Sequence, residues 1–171
     1  MVGTSTVTAG ETAAPSFWIG TKGQALINSL PGGPNGTSLG YWLATVVPNL
    51  MGGAAGQTNA QLAAGIKGVG ASGAFAEMVA TVMSEYVTDS SLAGTVAASY
   101  GFTVTTYGTG IDNFNTGSNG TALALSNNTS YSIATLIAAL NSESTDGYVF
   151  GSATNATITL FTAINKAGGI S

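Results

Sequence analysis

A chain of 171 residues with 44% apolar and only 6% charged residues folds as a single domain whose surface is built from hydroxyls, amides and glycine. Three lysines, no arginine and a net charge of −4 exclude a basic patch for nucleic acid or for an anionic membrane surface. Without cysteine or histidine there is no disulfide, no thiolate or imidazole metal site and no Ser-His-Asp triad, and no apolar run is long enough to insert into a membrane.

Residues 1–15 lack the basic and apolar regions of a secretory signal peptide. They read as a flexible linker, or as an extended segment pairing with a sheet edge, on a neighbouring subunit for example, since Val2, Thr4, Thr6 and Thr8 alternate. Residues 16–171 read as one helical domain.

Phe17 and Trp18 precede a short helix over 22–30 that buries Leu26, Ile27 and Leu30 and stops at Pro31-Gly32-Gly33-Pro34. Leu39, Trp42, Leu43, Val46, Val47 and Leu50 form the stripe of a second helix, which Pro48 kinks or closes. Thr58 and Gln61 have capping-box spacing and open a helix over 59–67.

The strongest helical signal runs from Ser72 to Thr88. Phe75, Met78, Val79, Val82, Met83 and Tyr86 line one side, while Glu77, Thr81, Glu85 and Thr88 face water or a polar neighbour. Its stripe is expected to pack against those at 39–50 and 133–140, with Val82 and Met83 among the most buried residues. Asp89 or Ser90 caps a further helix over 91–100, which Gly101 stops.

Phe102 to Tyr107 alternates with period two and predicts a strand, paired with Thr121–Leu125 in a hairpin. Residues 130–140 read as a helix with Ile133, Leu136, Ile137 and Leu140 on one face, residues 147–151 form a short extended piece, and Thr154 opens a last helix through Lys166. The expected fold is mainly α: a compact bundle of about six helices with a small β-hairpin near residues 102–125.

Candidate chemistry is sparse. No Ser-x-x-Lys motif occurs, and Glu85 and Asp89, one turn apart, read as a solvated helix face, so no catalytic residue is assigned and the chain is expected not to be an enzyme. Asp112, Asn113 and Asn115 lie in an oxygen-rich loop and are a calcium candidate, although the alternation and closing glutamate of an EF-hand loop are missing. Trp18 and Tyr41 are candidate platforms for a sugar ring, with burial in the core as the competing reading for Trp18. No cofactor is implied. Sequons at Asn35, Asn119, Asn127, Asn128 and Asn155 matter only on a glycosylating export route.

The phrases FWIGTKGQALINSLPGGPNGTSLGYWLATVVPNL, GQTNAQLAAGI, VTDSSLAGTVAASYGFTVTTYGTG and FNTGSNGTALALSNNTSYSIATLIAALN resemble the helical module found towards the C-terminal end of large bacterial extracellular surface proteins, which carry immunoglobulin-like or SdrD B-like repeats. The similarity covers about Phe17 to Ile170. It implies an extracellular or cell-surface location. The expected role is structural, as a surface, matrix or filament subunit associating with copies of itself or other surface proteins. The alternative is an adhesion module binding carbohydrate or protein.

Overall fold

The computed structural model describes residues 5–170. The helices among them are α1 (Pro15–Ile19), α2 (Thr21–Ser29), α3 (Ser38–Val46), α4 (Pro48–Met51), α5 (Asn59–Val69), α6 (Ala74–Thr88), α7 (Ser90–Ala93), α8 (Ile133–Ser142) and α9 (Ser152–Ala167). Six of the nine run for nine residues or more, and short 3-10 turns fill several of the joints. The class is mainly α, as the apolar periods predict.

Two small ribbons complete the fold. Strands β1 (Asn113–Asn115) and β2 (Ser130–Ser132) pair antiparallel with Phe114 opposite Tyr131; β3 (Ser144–Thr145) pairs with β4 (Tyr148–Val149). Asp146 and Gly147 turn the second ribbon with φ of 49° and 82°, the left-handed pair that a two-residue hairpin needs.

The hairpin is therefore not where the alternation places it. Residues 102–107 form no strand, the last two lying in a bend, and the backbone bonds go elsewhere: Thr103 N–H donates to Gly10 O (2.7 Å), and Thr105 exchanges bonds with Thr88 and Ser90. Thr121–Leu123 is a 3-10 turn followed by Ala124 at φ 55°, a left-handed residue that a strand cannot contain. Two predicted helices are also divided. Val47, at φ −129° and ψ 60°, separates α3 from the turn that Pro48 opens. Gly94 at φ 67° ends α7 after one turn, before the 3-10 segment Val96–Tyr100.

Thr58 and Gln61 complete the predicted capping box on α5, and Asp89 caps α7. Two helix starts differ from the pattern: residues 130–132 pair as β2, so that α8 begins after a Ser132 cap, and α9 begins at Ser152, ahead of Thr154. Leu26, Ile27, Leu43, Val82, Met83, Ile133 and Leu136 are wholly enclosed in one continuous core.

Helix α6 is the centre of that core and is buried almost all round. Its chief partner is α9, with α8 a smaller contact; the expected pairing with the 39–50 stripe is not a main one. The polar side of α6 is enclosed too, and its hydroxyls fasten three remote pieces of chain. Thr81 Oγ1 donates to Asn165 Oδ1 on α9 (2.9 Å). Ser84 Oγ accepts the Ala13 N–H (3.1 Å). Thr88 Oγ1 accepts the Thr109 N–H (2.9 Å). Each hydroxyl also bonds a carbonyl one turn back in α6, so none is left unpaired in the core.

The residues before Pro15 extend this fastening. Val2 and Thr4 of the alternating pattern lie outside the described residues, but residues 5–14 are packed on the domain, so the linker reading does not hold for them. Val7 N–H donates to Asn113 O, and the N–H groups of Gly10, Glu11 and Thr12 converge on Gly168 O at 2.8–3.0 Å. Ile170 N–H returns to Thr12 O (2.9 Å), and the Thr12 hydroxyl, wholly buried, donates to Asn165 O (3.0 Å). The segment pairs with its own domain. Gly168 permits this contact, because a Cβ there would lie 2.5 Å from Thr12 Oγ1.

Thr12→Val should therefore lower stability by about 1–3 kcal/mol, by taking its donor from the Asn165 carbonyl. Urea unfolding measures this, and an unchanged midpoint would mean that residues 5–14 add nothing to the fold.

Candidate functional site

Of the two proposed ring platforms, only one is at the surface. Trp18 is 1% exposed and packed edge-on to Phe17 (centroids 5.1 Å apart) and against Phe102 (5.8 Å), so it is core and cannot stack on a sugar. Its place at the start of a short helix between Pro15 and the α2 crossing turns the ring inward. Tyr41 is 58% exposed on α3 and remains accessible.

The calcium candidate is not assembled. Asn113 and Asn115 belong to β1, opposite Ser132 and Ser130. Asn115 Oδ1 is occupied by the Gly117 N–H (2.8 Å), and Asp112 faces Glu11. Among the described residues no three acidic side chains gather where a metal could sit. The oxygen-rich loop is instead a turn network centred on buried Thr116, whose hydroxyl donates to Ser126 O (2.7 Å).

What the structure brings together is a set of carboxyl groups around residues 108–112. Glu11, from the N-terminal segment, lies beside Asp112; the Glu11 carbonyl accepts the Thr109 hydroxyl (2.8 Å), and its Oε2 accepts the Thr8 N–H. Burial, with the charge and hydrogen bonding of Glu11, pushes Asp112 up to about 6, so Asp112 keeps its proton under mildly acidic conditions. On the other side of the same loop, Glu85 lies against Gly110, where a Cβ would come within 2.6 Å of Oε1. Its Oε2 is enclosed with no hydrogen-bond partner, and burial, helped by the Asp89 charge, pushes Glu85 up to about 7. Glu85 is thus not the solvated residue that its spacing from Asp89 suggests.

A second feature is a cleft of about 530 Å³ between the start of α1, α2, α6 and the end of α9. Phe17 and Tyr100 supply ring surface, Lys22 and Lys166 stand at its exposed margin, and Glu77 lies between the elements. Asn165, 2% exposed, holds Glu77 by donating from Nδ2 to Oε2 (2.8 Å) and to the Glu77 carbonyl (3.2 Å). Neither the carboxyl pair nor the cleft was visible in the sequence, because their members come from opposite ends of the chain.

Chemically, the loop carboxyls can store and release protons, and among the described residues no cationic side chain is paired with them. The cleft can bind a ligand offering both negative charge and hydrogen-bond donors. No family model, no curated protein and no solved structure matches this chain.

Asp112 and Glu85 hold protons in the folded state that the unfolded chain gives up near pH 4. Their contribution to stability is complete below about pH 4 and is lost as pH rises through about 6 and about 7. The Glu85 part is about 3 kcal/mol, at ~1.4 kcal/mol per pKa unit. Thermal unfolding between pH 4.5 and 8 should therefore show falling stability, and Glu85→Gln should flatten that slope by stabilising the protein at pH 8. An unaltered slope in the Gln variant would show that Glu85 ionises freely in the fold.

Proposed function

We propose that this chain is a non-enzymatic structural protein of an extracellular surface, matrix or filament, acting by self-association. The observation that carries this reading is the apolar display on a charge-poor exterior. Tyr148 is 67% and Phe150 53% exposed, and their rings lie 6.4 Å apart beside the tight β3–β4 turn. Tyr107 (67%) and Ile111 (39%) form a second exposed group beside the N-terminal segment. Large apolar side chains held out on a rigid turn lose little conformational entropy when covered. With 6% charged residues, little repulsion opposes a second copy. We take the hairpin aromatics as the contact between copies. The extracellular setting is supported by the resemblance to surface-protein modules and by the hydroxyl- and amide-rich exterior.

A second reading, a carbohydrate- or protein-binding adhesion module, is favoured by the cleft with its two lysines, its aligned carboxylate and its two aromatic rings. Both readings leave the protein without a catalytic role.

Light scattering across a concentration series, with negative-stain microscopy of the concentrated samples, tests assembly. The protein should grow beyond a monomer as concentration rises. The double variant Tyr148→Ser/Phe150→Ser should shift association at least about tenfold to higher concentration, the loss of roughly 1.4 kcal/mol. A protein that stays monomeric at the highest soluble concentration would rule assembly out.

A further inference from the structure

We propose that the cleft between α1, α2, α6 and α9 binds an acidic sugar unit of a polysaccharide, its carboxylate between Lys22 and Lys166 and its hydroxyls on Glu77. This rests on the adhesion-module reading and not on self-association.

The charge distribution is the first observation. The chain has three lysines and no arginine, and two of the three stand on this one cleft. Both are exposed, and among the described residues neither ammonium is engaged by a carboxylate or other hydrogen-bond partner. In a protein of net charge −4, this is where positive potential concentrates.

Glu77 then narrows the ligand class. A bare anion is repelled by a carboxylate in the same cleft. A ligand that brings hydroxyl donors as well as its own negative charge satisfies both signs at once. Asn165 fixes the Glu77 carboxylate, and the Asn165 amide is itself fixed at Oδ1 by the Thr81 hydroxyl (2.9 Å). The acceptor is therefore aligned before a ligand arrives, which lowers the ordering cost of binding.

The walls supply the rest. Half-buried Phe17 and Tyr100 give ring surface for the C–H face of a pyranose. At about 530 Å³ the space is in the range of small-ligand sites, roughly 300–1,000 Å³. Exposed Ala14, Ser16 and Thr162 at its margin leave it open at the surface, so a unit within a chain can enter as readily as a free one. Phosphate-rich polymers fit poorly, since two lysines beside a carboxylate neutralise too few phosphates.

Calorimetric titration with trigalacturonic acid tests this, alongside its methyl ester, neutral galactotriose and citrate. Saturable binding of the acid is expected, with the methyl ester and galactotriose at least about tenfold weaker and citrate weaker still. Lys22→Gln/Lys166→Gln should weaken binding of the acid at least about tenfold, and Glu77→Gln should weaken it while improving citrate. Lys67→Gln, an exposed lysine on α5, should change nothing. Circular dichroism of the variants checks that the fold is kept.

Equal binding of acid and methyl ester would overturn the acidic specificity while leaving a general carbohydrate site standing. Citrate binding as tightly as the acid would replace the proposal with a plain anion site. No heat with any sugar at about 10 mM would overturn the proposal and the carbohydrate form of the adhesion-module reading, leaving its protein-binding form standing.

Discussion

The fold depends on the requirement that no hydroxyl on the inner polar side of α6 goes unpaired. Apolar packing covers most of this helix, but Thr81, Ser84 and Thr88 are wholly buried as well. A buried hydroxyl without a partner costs on the order of 1–3 kcal/mol. Each therefore selects a particular partner: Asn165 on α9, the backbone at Ala13, and the backbone and hydroxyl of Thr109. Apolar contacts alone would let neighbouring elements slide. Three directional bonds along one helix fix where α9, the N-terminal segment and the 108–112 loop must sit. The cleft and the carboxyl pair are both consequences of this placement, since Asn165, Glu11 and Asp112 belong to the pieces so fixed.

Much of the helical part was legible because period and caps are local. The 72–88 stripe, the Thr58 capping box and the Ile133–Leu140 face needed only neighbouring residues to be read. The β part was not. Phe102–Tyr107 has the pattern of a strand, but its partners are Gly10 and residues 88–90, and no local rule names them. The strand β1 is Asn-Phe-Asn, a composition that ordinarily marks a loop. It pairs because Asp112 O accepts the Ile133 N–H and Thr116 ties both ends of the following loop. Likewise, a single break at Val47 or Gly94 leaves a helical stripe intact in sequence while dividing the helix in space.

The candidate sites were hidden for the same reason. Trp18 and Tyr41 look alike as aromatic candidates, and only their position on the fold separates a core ring from a surface one. Glu85 reads as solvated from its spacing to Asp89, yet Gly110 closes over it. Low charge had suggested a surface with little to say. In the folded chain the few charges are concentrated: two lysines on one cleft, and Glu11, Glu85, Asp89 and Asp112 around one loop.

The pairing of Thr12 with Gly169 is parallel. In a parallel pair, the chain preceding one segment and the chain following the other leave in opposite directions. Tension applied through the two ends therefore slides these segments past each other along their length and loads the bonds at Gly168 and Thr12 together. An antiparallel arrangement would instead let them open singly, like a zipper.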